Sequence, residues 1–107
     1  MNDVMEARAG IIDAEWKDEG DGYHSMTGTA SGILMSVPVA YVAIPESHPL
    51  AGKDYDELPE GGPDVNGGLT FAQRNVFGWD YGHAYNRFTP EQDTESALEY
   101  FRSREKP

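Results

Sequence analysis

From Val37 to Ile44 the chain is apolar at every position, so both side-chain parities of a strand there, Val37/Val39/Tyr41/Ala43 and Pro38/Ala40/Val42/Ile44, have to be covered. Successive side chains of a strand point to opposite faces. A strand that is apolar on both belongs inside a sheet with a layer on each side. Pro38 has no N–H to give and is tolerated only near the strand's start or at an unpaired position. With 107 residues the chain has material for one such core, since two halves would each fall below the size at which a core closes easily. The expectation is a single domain over residues 1–107 of α+β class: a small, mainly antiparallel sheet with a C-terminal helix packed on it.

The neighbours of that strand are legible in outline. Ile11 to Lys17 alternates imperfectly and reads as a half-buried strand, Ile12 and Trp16 inward, within an acidic N-terminal arm over 1–22. Asp18-Glu19-Gly20-Asp21-Gly22 is a turn cluster, after which Tyr23 to Met26 pairs back as a second short strand. Pro45 to Pro63 holds four prolines and three glycines; no helical period survives there, and it reads as an ordered, functional loop anchored by Leu50, Tyr55 and Leu58. Val65 to Ala72 and Asn75 to Tyr85 read as two more strands, completing a sheet-and-loop region over 37–88. In the second, Phe77, Trp79, Tyr81, His83 and Tyr85 share one parity, and Gly78, Asp80, Gly82 and Ala84 the other. One face is thus bulky and aromatic, while on the small face another backbone or a ligand can come close.

A helix is expected over 89–104. Thr89 can cap it, Pro90 fits its first position, and Gln92 completes a capping box. Ala97, Leu98, Tyr100 and Phe101 form its apolar stripe. Glu91, Asp93 and Glu95 at its start, with Arg102, Arg104 and Lys106 at its end, match the helix dipole.

Charge limits the partners. Nineteen acidic against eight basic residues give a formal charge of −11, which argues against a duplex-binding surface, because such a surface displaces counterions with lysine and arginine. Residues 1–22 and 46–66 each sum to −5, whereas 67–90 sum to +1. The acid therefore lies in the arm and one loop, where it keeps a small protein soluble or serves as a decoy for the basic groove of a nucleic-acid enzyme. Without cysteine, disulfide scaffolds, thiolate-held metals and thiol nucleophiles are excluded. Met1 to Gly10, with Asp3, Glu6 and Arg8, is no secretory signal. The uncharged run Ser25 to Pro45 is interrupted by Thr27, Gly28, Thr29, Ser31, Gly32, Ser36 and Pro38 and is too polar to span a bilayer. A soluble, cytoplasmic protein without membrane association is expected.

Three constellations could carry chemistry. Glu46 to Asp56 places the His48 imidazole, the Asp54 carboxylate and the Tyr55 phenol in one loop; metals take such ligands, but the spacing matches no metal motif, and local backbone bonding of His48 and Asp54 is the simpler reading. Neither a metal nor a cofactor is expected. Val65-Asn66-Gly67-Gly68-Leu69-Thr70-Phe71 reads equally as a tight turn and as a place where bare backbone amides approach a phosphate or a ring. Phe77 to Tyr85 sets aromatic faces beside Asp80 and His83, a combination that suits a nucleobase, with rings to stack and a carboxylate to accept from an exocyclic amine. As a core strand, the same stretch would use Trp79 and Tyr81 to fill volume. By parity Asp80 and His83 point apart, so a shared acid–base role needs a bend at Gly82.

Taken together, Tyr41-Val42-Ala43-Ile44-Pro45-Glu46-Ser47-His48-Pro49-Leu50-Ala51-Gly52-Lys53-Asp54-Tyr55, Val65 to Phe71, and Gly78-Trp79-Asp80-Tyr81-Gly82-His83 resemble a family of small uncharacterised proteins common in bacteriophage and prophage genomes. The resemblance covers about residues 39–85. Relatives tend to have histidine at Asn66 and a Cys-Ala-His run at Tyr81-Gly82-His83, so a three-histidine metal centre does not carry over. What the resemblance implies is a phage accessory protein that antagonises host defence in the host cytoplasm. The expected mechanism is a homo-oligomeric sponge that sequesters a nucleotide-derived immune signal. Its walls would come from His48, Asp54, Tyr55, Gly67, Gly68, Thr70, Trp79, Asp80 and His83, with Arg74 or Arg87 toward phosphate. The alternatives are an acidic inhibitor, of anti-CRISPR or nucleic-acid-mimic type, that binds a host nuclease or effector, and a hydrolase of the same signal using His48 or His83.

Overall fold

The all-apolar segment forms the centre of an antiparallel sheet in a computed structural model that describes residues 11–12, 16–31, 36–82 and 88–106. Its strands are β1 (Ile11–Ile12), β2 (Lys17–Gly20), β3 (Tyr23–Ser31), β4 (Ser36–Ala43), β5 (Phe71–Gln73) and β6 (Val76–Asp80), followed by the helix α1 (Pro90–Arg102). The spatial order is β1-β3-β4-β6-β5, with β2 beside β1 along the outer edge of β3. Along β4 the register runs from His24↔Ala43 to Ser31↔Ser36 on one side, and from Val39↔Asp80 to Ala43↔Val76 on the other. Pro38 sits near the start of β4, opposite Thr29, and its carbonyl accepts the N–H of Tyr81 at 2.9 Å.

Each face of β4 feeds its own apolar cluster. Ala40, Val42 and Ile44 pack with Phe77, Trp79 and Tyr81, with Tyr23, and with Ala97, Leu98 and Phe101 of the helix. On the opposite face Val39, Tyr41 and Ala43 pack with Met26 and Val76, flanked by the half-buried Trp16 and Phe71. The fold is thus the expected α+β arrangement, with the C-terminal helix covering one side of the sheet.

The start of the helix follows its sequence signals closely. Thr89 Oγ1 accepts from the Gln92 N–H at 3.1 Å, and Gln92 Oε1 accepts from the Thr89 N–H at 2.9 Å, completing the capping box. At the other end Arg102 lies over the Tyr23 ring and donates to the Glu19 carbonyl at 2.7 Å, while Arg104 lies over Tyr100 and pairs with Glu60. These contacts hold the helix to the β2–β3 turn and to the long loop.

Several boundaries differ from expectation for local physical reasons. Among the described residues the N-terminal strand pairing covers Ile11–Ile12 and Lys17–Gly20, and the turn narrows to Asp21 and Gly22, both with positive φ. Beyond Met26, β3 continues to Ser31 because β4 offers it a full-length partner. Val65 to Thr70 is not a strand: Gly67 and Gly68 take φ of +73° and +77°, and pairing begins only at Phe71. Strand β6 ends at Asp80. Of the loop anchors, Leu50 and Leu58 are buried but Tyr55 is exposed. The side chain of Ile12 and residues 83–87, which include His83, Ala84, Tyr85 and Arg87, lie outside the described set.

Gly78 is where the open face closes on itself. It stands in register between Tyr41 and Phe71, and those rings meet edge to face above it, with centroids 5.6 Å apart. A Cβ at Gly78 would lie 2.2 Å from the Tyr41 ring, so the absence of a side chain is what lets the tyrosine lean across the strand. Gly78→Ala is expected to lower stability by about 1–3 kcal/mol in urea denaturation, the cost of overpacking a well-filled site.

Candidate functional site

The parity of β6 sends its side chains to two different environments. Phe77 and Trp79, with Tyr81 beyond the strand, face the helix; Gly78 and Asp80 face the other way. On that second side a cavity of about 330 Å³ is lined by Val37, Val39 and Tyr41 of β4, by Asp80 and Gly82, and by Thr70 and Trp79. Trp79 contributes through its strand position, because its indole is buried in the opposite core and donates to the Tyr81 hydroxyl at 2.9 Å. Asp80 Oδ1 accepts the Gly82 N–H at 3.0 Å, turning the chain at the cavity's rim. Thr70 is fixed by donating its N–H to the Gly78 carbonyl at 2.9 Å. The volume falls in the range of small-ligand sites, and a mostly apolar lining with few polar groups is their usual character. Among the described residues no lysine or arginine lines it.

Of the sequence-derived candidates, the cavity brings together Thr70, Trp79 and Asp80. The others lie elsewhere. His48 is buried, and its ring Nδ1 accepts the Leu50 N–H at 3.0 Å. The proton therefore sits on Nε2, which donates to the Phe101 carbonyl at 2.7 Å. His48 thus adds a side-chain donor to a carbonyl of the last helical turn that also accepts the Arg104 N–H at 3.0 Å, and both its nitrogens are engaged. Asp54 caps a short 3₁₀ turn: its Oδ1 accepts the Tyr55 N–H, and its own N–H donates to Glu57 Oε1. Tyr55 projects from that turn into solvent. Gly67 and Gly68 form the tight turn, closed by the Gly68 N–H donating to the Val65 carbonyl. Arg74 is exposed in the β5–β6 turn, at the opposite end of β6 from Asp80; the strand's rise puts the two ends about 13 Å apart. His83 lies outside the described residues.

The sequence reading missed a buried polar node behind the cavity. Asp93 is 1 % exposed. Its Oδ2 accepts from the Tyr81 hydroxyl at 2.5 Å and from the Asn66 N–H at 3.1 Å. Tyr81 stands between Asp80 and Gly82, so the node fixes the backbone that carries both rim residues. A signal for it was present: Asp93, Ala97 and Phe101 recur at helical spacing, which places a carboxylate on the apolar stripe. Burial pushes the Tyr81 phenol well above its ordinary pKa, and donation to Asp93 adds to the shift. The Tyr23 phenol is raised likewise, by burial and by its hydrogen bond to Glu105.

Comparison with family models, with curated proteins and with solved structures finds no match for this chain. Among the described residues no helix is long and apolar enough to cross a membrane, and no three histidine, aspartate or glutamate side chains converge to hold a metal ion.

The raised phenols set the sign of an alkaline transition. Each folded-state pKa lies above the unfolded value of 10.0. Their contribution is therefore intact below that pH and is lost as pH rises beyond it. Stability measured by urea denaturation is expected to fall above about pH 10, with a shallower fall in Tyr81→Phe. At neutral pH the same variant should lose about 1–3 kcal/mol, because the Trp79 indole N–H is left buried without its acceptor.

Proposed function

We propose that the chain is a small-ligand-binding protein that sequesters a nucleobase-bearing molecule in the cavity on the small face of β6. The observation that carries this reading is the cavity itself, bounded by apolar side chains of β4 and edged by the Asp80 carboxylate, the Thr70 hydroxyl and the Tyr41 phenol. A planar heterocycle with N–H donors fits such a lining: its faces meet Val37 and Val39 while its edge donates toward Asp80. Phosphate is disfavoured beside Asp80, so a nucleotide-derived ligand would enter base first and leave its phosphates in solvent. Sequestration is preferred to hydrolysis because His48, the imidazole among the described candidates, is committed to the helix end. In the setting that the sequence resemblance implies, such a protein would withdraw a host defence signal.

One observation favours a second reading, an acidic surface that engages a basic host protein. Glu91, Glu95 and Glu99 line one edge of α1, facing Glu19 across two adjoining grooves.

Thermal melts separate the two. Nucleosides should raise the melting temperature, by about 2.7 kcal/mol of stabilisation at a hundredfold excess over Kd, and the corresponding 5′-monophosphates should bind no tighter. Gly82→Val should abolish the shift while leaving the protein folded, since a Cβ at Gly82 makes only ordinary contacts at 3.4 Å and the larger side chain fills the cavity. Melts unmoved by every nucleoside would overturn the small-ligand reading. Intact ligand recovered on denaturation distinguishes sequestration from hydrolysis.

A further inference from the structure

Asn66 and Gly67 form the one Asn-Gly step in the sequence. In such a step the backbone nitrogen after the asparagine has no side chain to hinder it, and it can attack the asparagine's own side chain. The fold holds the step in a turn. The Gly68 N–H donates to the Val65 carbonyl at 2.9 Å, and Gly67 takes a φ of +73° while that of Asn66 stays negative. Those are the features of a type II turn, whose first corner residue has an extended ψ. An extended ψ at Asn66 turns the Gly67 nitrogen away from Asn66 Cβ, so a five-membered ring cannot close from the native turn. Asn66 is also only 2 % exposed, and its N–H is held at 3.1 Å by Asp93 Oδ2, the oxygen that accepts from Tyr81 as well.

We infer that Asn66 is a self-modification site gated by the Asp93 node: it deamidates only in molecules in which the node has opened, and the product cannot rebuild the node. The Gly67 nitrogen gives up its proton and bonds to Asn66 Cγ. The Cγ–Nδ2 bond breaks, the side-chain nitrogen leaves with a proton as ammonia, and a succinimide remains. Water then opens the ring at either carbonyl, restoring the Gly67 N–H and leaving an aspartate or isoaspartate carboxylate at position 66. Either product puts an acid on the residue whose N–H binds Asp93. The first turn of the helix favours the negative charge of Asp93. A second buried acid beside it meets like-charge repulsion and the cost of leaving water. Local opening occurs without global unfolding, so the reaction withdraws opened molecules irreversibly.

The test incubates the full chain in mildly alkaline buffer, folded or unfolded in guanidinium chloride, and follows by peptide mass mapping the gain that marks exchange of an amide for an acid. The unfolded chain should show it at the Asn66–Gly67 step, and the folded protein should show it there at least about tenfold more slowly. Tyr81→Phe removes one of the two donors to Asp93 and should speed the folded-state reaction at least about threefold. Asn66→Asp, the product made genetically, should melt below Asn66→Ser, which is neutral and has no amide to lose. Equal rates in the folded and unfolded chains, a gain that maps to another asparagine, Tyr81→Phe reacting no faster than the wild type, or Asn66→Asp melting with Asn66→Ser overturns the inference. The comparison of folded with unfolded chain stands even if a variant fails to fold.

Discussion

The Asp93 carboxylate, buried in the first turn of the helix, accepts from Tyr81 just past the end of β6 and from the backbone of Asn66 in the tight turn. Three segments far apart in sequence meet at this one oxygen, and Trp79 joins them by donating to the same tyrosine. A polar node in a core is stable only when its members satisfy one another, and a satisfied node fixes geometry more strictly than apolar contact does. The opposite end of the helix is held by different means: His48 takes up the Phe101 carbonyl, and Arg102 reaches the Glu19 carbonyl across the Tyr23 ring. Fixed at both ends, the helix seals the aromatic face of β6.

That seal determines which side of β6 is left for the proposed ligand. With Phe77, Trp79 and Tyr81 committed to the helix side, Gly78, Asp80 and Gly82 are left to the other side, where the chain is thin and a cavity forms against β4. The parity of one strand thus divides the sheet into a face sealed by the helix and a face that carries the cavity. Tyr41 completes the division by lying across Gly78 against Phe71, which closes the apolar surface beside the cavity.

Much of this was legible in the chain itself. The doubly apolar segment announced a central strand, and Thr89, Pro90 and Gln92 announced the helix start, because both signals are local and tertiary structure reinforces them. The parity split of β6 was legible too, and it indicates the side on which the cavity opens. What the chain did not disclose was which motif residues meet. His48, Asp54, Tyr55, Gly67 and Gly68 look like a site because they are chemically versatile and close in sequence. Yet each serves the loop: one caps a helix end, one caps a turn, two make a turn, and Tyr55 faces water. Asp93 was the reverse case, assigned to the helix dipole when its place on the apolar stripe marked it for burial. Polar residues in a periodic apolar pattern are informative only once something supplies their partners, and here the partners lie 12 and 27 residues away.

The central claim is that the small parity of β6 faces a ligand-accepting cavity while the glycine turn and the acidic loop are framework. Amide chemical-shift mapping during a titration with adenosine tests it most directly. The account predicts saturable perturbations at Val37, Val39, Thr70 and Gly82, with Asp54, Tyr55, Gly67 and Gly68 unmoved. Perturbations centred on the Asp54–Gly68 stretch, with Val37 and Gly82 unchanged, would contradict it.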